Sequence, residues 1–211
     1  MISAPQMLIA FRAACAPAIF VLACFGFPRL LLAGVLAAAF ASDVLDGILA
    51  RRRGTATPGL RYADTLVDTV FYVSAAAALW VAVPAAFEGC GVPLVVLTTV
   101  HVSRATFELT KFGRLASYHM WSSKVFGLVL AAALADAFVS GHPTVLMVGA
   151  LWAGIANELE GFAASTILPA LRTDVPSLVH AISAAAETSS PSSPAPSSEP
   201  RPPFQSAHRG P

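Results

Sequence analysis

Charge is scarce in this 211-residue chain: Asp, Glu, Lys and Arg make up 12% of it, against roughly a quarter in an average soluble domain. The formal net charge is only +1. There is no basic face for nucleic acid, and too much apolar content (56%) for a disordered regulator. Three cysteines, Cys15, Cys24 and Cys90, sit in apolar stretches with no CxxC spacing, which excludes a disulfide-stapled secreted domain and reads as buried small hydrophobes. No Gly-rich phosphate loop, nucleophile elbow or internal repeat is present. A mean hydropathy of +0.69 leaves one class, an integral membrane protein.

A membrane-crossing helix needs about 20 mainly apolar residues. Windows of that size give an all-α, six-helix arrangement with spans near 5–25, 29–52, 61–83, 91–110, 118–139 and 143–168. Gly and Pro punctuate the breaks, at Gly26 to Pro28, Gly54 to Gly59, Pro84 to Pro93, Gly113, and Gly141 to Pro143. Span 1 is too long, and too weakly basic ahead of its apolar run, for a cleavable signal peptide. Arg51, Arg52, Arg53 and Arg61 crowd the 2–3 connection, and Arg104, Lys111, Arg114 and Lys124 the 4–5 region, while the opposite turns carry only Arg29. The positive-inside bias puts both basic connections, both termini and a polar cavity on the cytoplasmic side. From about Thr188 the chain turns to Ser, Pro and Ala. The division expected is therefore a transmembrane domain over 1–172 and a mostly disordered cytoplasmic tail over 173–211, with a short surface helix over 175–186.

Charges inside apolar helices are costly and mark functional sites. Asp43, Asp46, Gly47 and Ala50 fall at i, i+3, i+4 and i+7, one stripe of a helix. Arg61, Asp64, Thr65 and Asp68 repeat the spacing on the next span. A packing stripe would hold Leu, Val or Ile; these hold four carboxylates with very small residues beside them. The two antiparallel stripes can face each other across a short loop. Carboxylate oxygens at this density suit hard divalent cations, Mg²⁺ or Mn²⁺. Two such ions can clamp a diphosphate, Gly47 and Ala50 let a ligand approach the backbone, and Arg51 suits a phosphate. The competing reading is a structural ion network in which neighbouring arginines satisfy the aspartates.

The run Asp43-Val-Leu-Asp46-Gly47-Ile-Leu-Ala50-Arg51, twelve residues, then Asp64-Thr-Leu-Val-Asp68 resembles the signature of the CDP-alcohol phosphatidyltransferases, D-x-x-D-G-x-x-A-R, spacer, G-x-x-x-D-x-x-x-D. Arg12 and Pro17 on the first span are also similar to the family. One position departs: Leu60 stands where the pattern has its second glycine, and Gly59 is one residue early.

The resemblance implies transfer of a phosphatidyl group from CDP-diacylglycerol to a small polar alcohol, of the glycerol 3-phosphate or inositol/inositol phosphate type, with release of CMP. It implies that Asp43, Asp46, Asp64 and Asp68 hold the metal ions, two in number by the family pattern, and that Gly47, Ala50 and Arg51 contact the nucleotide. Asp68 becomes the general base. Lys124 is the first choice for an acceptor phosphate and Arg104 the second, although Arg104 and Glu108 are also spaced to pair along one helix. The setting expected is a bacterial inner or plasma membrane. Alanine runs at 37–39, 75–78 and 131–133 permit close helix packing and a homodimer.

Two other classes compete. An intramembrane prenyltransferase also binds a diphosphate through aspartate-held Mg²⁺, but its acidic motifs lie well apart in sequence. A divalent-cation transporter would set carboxylates near the midplane, and gives Gly47, Ala50 and Arg51 no role.

Overall fold

The computed structural model of the chain describes residues 4–53, 58–118, 120–172 and 175–189, with side chains over 6–45, 63–118, 120–172 and 175–186. The described residues are helical: α1 (Ala4–Cys24), α2 (Arg29–Arg53), α3 (Pro58–Ala82), a 3-10 turn (Pro84–Phe87), α4 (Gly91–Phe112), α5 (Trp121–Ser140), α6 (Val145–Ile167) and α7 (Leu178–Ser189). No strand occurs among them.

Local chemistry sets the ends. Pro58 opens α3, where its missing N–H costs nothing and its fixed φ is preorganised for the helix. The helix therefore begins three residues before the apolar run that marks it in sequence, and takes Gly59 and Leu60 into its first turn. Gly113 and Gly141 close α4 and α5 in the left-handed conformation (φ 72° and 74°), returning their N–H groups to Leu109 O and Ala137 O. Thr144 caps α6 by accepting from the Met147 N–H at 3.3 Å. The fifth helix starts at Trp121 instead of 118 because Tyr118 and Trp121 pair with 175–176: Val175 N donates to Tyr118 O (2.9 Å) and Trp121 N to Pro176 O (3.1 Å).

The first three helices form one packed group, α1 lying against both α2 and α3. α6 holds α4, α5 and α7, and α5 joins the groups through α2 and α3. The seam is filled by Ile19, Leu36, Phe71, Leu79, Leu134 and Phe138, all buried. Ala39, Ala75, Ala78 and Ala133, from the three alanine runs, are buried inside this core, where they bring helix backbones together. On α6, Gly154 leaves room for a side chain of α5: a Cβ there would meet the Phe126 ring at 2.8 Å.

The outer surface is the reverse of a soluble protein's. Val73, Trp80, Val92, Val95, Leu128 and Trp152 all stand more than half exposed, an apolar exterior that only lipid accommodates at this density. Among the described residues four helices are long and apolar enough to cross a membrane: Gln6–Cys24, Ala63–Ala82, Trp121–Ser140 and Val145–Ile167. α4 has the length, but His101, Arg104, Glu108 and Lys111 dilute its apolar character. In α2 the described side chains end at Leu45, short of a full span. The protein is an all-helical integral membrane protein. Of the three free cysteines, Cys15 and Cys90 are buried as expected, whereas Cys24 is exposed at the end of α1.

Candidate active site

Three of the four motif aspartates meet. α2 brings Asp43, and α3 brings Asp64 and Asp68 one turn apart on the same face; one carboxylate oxygen from each lies within 4.8 Å of the others. Their side chains are about a third exposed, at 37%, 32% and 30%, so they line an accessible edge and not a sealed core. Asp46, Gly47, Ala50 and Arg51 follow on the same continuous helix, which preserves their i, i+3, i+4, i+7 register. Their side chains lie outside the described residues, as does that of Arg61.

The centre of the trio holds a residue that motif reading placed only on helix 1. Arg12, 1% exposed, directs Nη1 to Asp64 Oδ1 at 2.9 Å and to Asp68 Oδ1, and lies 3.3 Å from Asp43 Oδ1. At an effective dielectric of about 20, each carboxylate pair at this separation repels by roughly 3–4 kcal/mol, and each guanidinium contact near 3 Å attracts by roughly 5–6 kcal/mol. One arginine therefore outweighs the mutual repulsion of three aspartates and holds them together. It does not neutralise them: two formal negative charges remain, which an added divalent cation would balance. The sequence signal for Arg12 was available, since a lone arginine in an apolar span needs a buried partner.

The donor set fits a hard divalent cation. All the converging ligand atoms are carboxylate oxygens, with no sulfur or imidazole among them. Behind the trio, Tyr72, one turn beyond Asp68, donates from its hydroxyl to Gly127 O of α5 at 3.4 Å, tying the acidic helix to α5.

The basic residues of α4 and α5 go elsewhere. Arg104 donates from Nε to Glu108 Oε1 (2.8 Å) and from Nη1 to Glu158 Oε2 (3.1 Å), and lies over the Tyr118 ring. Its partners all belong to α4, α6 and the 113–120 segment. Glu108, 2% exposed, also accepts from Ser165 Oγ (2.6 Å) and the Ala116 N–H (2.8 Å), while Ser165 bonds the Tyr118 hydroxyl. Sequence reading saw the Arg104–Glu108 pair but not this hub, because its other members come from distant segments. Lys111 caps α6 through Ser165 O and Thr166 O. His101 bonds Glu158, and His119 lies outside the described residues. Glu160 points away from Glu158 and accepts from Leu178 N at the start of α7. Lys124 is exposed on the first turn of α5, 4.3 Å over the Trp121 ring. Beside it, Ser122 and Ser123 both donate to Asn157 of α6.

Fold and site together define a membrane-embedded helical protein with an acidic cluster, suited to a divalent cation, at the edge of its first three helices. The model of the CDP-alcohol phosphatidyltransferase family matches residues 2–171, and the chain belongs to that family. No curated protein and no solved structure matches it. Membership carries the general reaction, phosphotransfer from a CDP-alcohol; the prenyltransferase and transporter readings are not favoured.

Proposed function

We propose that the protein transfers a phosphatidyl group from CDP-diacylglycerol to the hydroxyl of a small polar alcohol, of the glycerol 3-phosphate or inositol/inositol phosphate type, releasing CMP. The observation that carries this reading is the convergence of Asp43, Asp64 and Asp68 around Arg12 within a family-matched chain.

Asp43, Asp46, Asp64 and Asp68 would hold Mg²⁺ or Mn²⁺, two ions in this reading. Such ions supply charge neutralisation and Lewis-acid polarisation at the diphosphate. Gly47, Ala50 and Arg51 receive the cytidine nucleotide. Asp68 accepts the proton of the acceptor hydroxyl as that oxygen bonds to the lipid-side phosphorus and the bond to CMP breaks. Arg12 holds Asp68 through Oδ1, which orients the carboxylate and leaves Oδ2 to meet the hydroxyl. An apolar groove of ≈ 260 Å³ between α1 and α2, lined by Phe11, Ala14, Cys15, Ala18, Val35 and Ala38, offers the donor's acyl chains a path beside the site.

Lys124 is assigned to the acceptor. Gly127 touches Tyr72, Asp68 and Lys124 precede those residues by four and three positions, and in a six-span up-and-down arrangement α3 and α5 start from the same end. At 1.5 Å per residue the two side chains then sit at about the same depth. Arg104, already paired with two carboxylates, is the weaker acceptor candidate and holds α4 on α6. The reading includes six spans over a domain of residues 1–172, a cytoplasm-facing site, both termini in the cytoplasm, and the tail 173–211 on the same side.

The test is CMP release by purified protein with CDP-diacylglycerol, Mg²⁺ or Mn²⁺, and each acceptor in turn. Metal-dependent release with one acceptor is expected. Nucleotide binding with no release for any polyol or polyol phosphate would overturn the acceptor class, and absence of nucleotide binding would overturn the reaction.

A further inference from the structure

The matched family region ends at residue 171, and α7 lies beyond it. α7 is not loose. Its first amide, Leu178 N, donates to Glu160 Oε1 of α6 at 3.1 Å. Ala181 is fully buried in a small core with Tyr118, Met120, Ala164, Leu168 and Val175.

The helix has three faces, not two. At about 100° per residue, Leu178, Ala181 and Ala184 cover an arc of about 120°; Val179 and Ile182 take a further arc of about 60°, and His180 and Ser183 the next 60° or so. The first arc packs on the bundle. The second is apolar yet open, Val179 being 69% exposed and Ile182 52%. The third is polar and exposed.

The depth of α7 follows from its tethers. Pro176 O accepts from Trp121 N, and Trp121 is the first residue of the α5 span. Glu160 lies within two turns of the end of the α6 span at Ile167. Trp121 is itself exposed, with the Lys124 ammonium over its ring, a pairing of aromatic and snorkelling lysine suited to the membrane–water boundary. The Trp121 tether therefore fixes the start of α7 where the α5 span leaves the hydrocarbon, and the Glu160 tether holds it against the last two turns of α6.

We propose that α7 is an interfacial helix that seats Val179 and Ile182 on the lipid surface beside the bundle, with His180 and Ser183 turned to water. A helix wedged between protein and bilayer needs this order of arcs: bundle, lipid, water. A helix lying free in solution would have no use for the second arc. The occupant is lipid and not a second copy, because α7 begins two residues after Pro176, whose carbonyl accepts from Trp121 N at the first residue of a membrane-spanning helix. The proposal stands apart from the transfer reaction and does not depend on its acceptor.

The test uses the full chain with Cys24→Ser, in vesicles of phosphatidylethanolamine and phosphatidylglycerol. An environment-sensitive fluorophore is attached at Val179→Cys, Ile182→Cys, His180→Cys or Ser183→Cys in turn. Lipid-borne nitroxide is expected to quench the first two at least about twofold more than the last two, and aqueous iodide the reverse. Equal iodide quenching at all four positions would overturn the proposal, as would disulfide cross-linking between copies through Ile182→Cys. A dye-free measurement covers displacement of the helix by the label. Val179→Ser with Ile182→Ser is expected to speed proteolytic cleavage after residue 172 in vesicles by several fold, and an unchanged rate would overturn the assignment.

Discussion

Arg12 of α1 donates from a single nitrogen to both aspartates of α3, Asp64 at 2.9 Å and Asp68, and the same nitrogen stands 3.3 Å from Asp43 of α2. One buried cation thus ties together three helices at the point where the chemistry is assigned. Its removal has a signed consequence. Arg12→Gln should lower the unfolding temperature in EDTA, because the carboxylates then repel without compensation. The stabilisation gained on adding Mn²⁺ should exceed that of the wild type, since the site becomes more negative by one charge. Thermal unfolding in detergent, with and without metal, reads both. A smaller metal response than wild type would show that Arg12 supports the cation instead of standing in its place.

Asp68→Asn removes a proton acceptor while keeping shape and one ligand oxygen. CMP release should fall by roughly 10²–10⁴-fold, the usual worth of a positioned base. Binding of a CDP-alcohol, measured by calorimetry, should change far less. Near-normal turnover would place the base elsewhere.

Lys124→Ala should raise the KM for a phosphorylated acceptor well above any change in the KM for CDP-diacylglycerol. Kinetics with each substrate varied in turn separate the two. Equal effects on both would make Lys124 a membrane-interface residue paired with Trp121 and nothing more.

A pair of glycines on α6 gives a packing test. A Cβ at Gly161 would overlap Arg104 Nη1 and stand 2.5 Å from its Cζ, whereas Gly149 has nothing within 4 Å. Displacing the guanidinium would weaken its bonds to Glu108 and Glu158, so Gly161→Ala should destabilise the protein by about 1–3 kcal/mol. Gly149→Ala should be neutral or stabilising by up to about 1 kcal/mol, because alanine is the better helix former. Thermal unfolding of the two variants side by side decides it.

Chelation supplies the last expectation. EDTA should abolish CMP release, and restoring Mg²⁺ or Mn²⁺ should recover it. Activity that survives exhaustive chelation would return the acidic cluster to the purely structural reading, with Arg12 as its counter-ion.

Much of this was legible in the chain itself. Helix existence follows from apolar runs and Gly/Pro punctuation, so all six main helices start and end within three residues of the expected spans. The aspartate stripes are legible because i, i+3, i+4, i+7 spacing is a property of any α-helix, whatever it packs against. Tertiary structure decided the rest. Arg12 lies 31 residues from Asp43 and 56 from Asp68, and no periodicity links them; only the packing of α1 on α2 and α3 brings the guanidinium into the trio. Arg104 stands second to Lys124 for an acceptor phosphate in the sequence, and only α6 supplies Glu158 as its second carboxylate. Residues 118–121 read as the start of a helix, but Tyr118 and Trp121 make backbone bonds to 175–176, more than 50 residues away, and Met120 is extended. Local sequence determines which residues form helices and which face each presents. Which charges meet is settled by helix packing, because an ion buried from water takes whatever partner the neighbouring helix brings within reach.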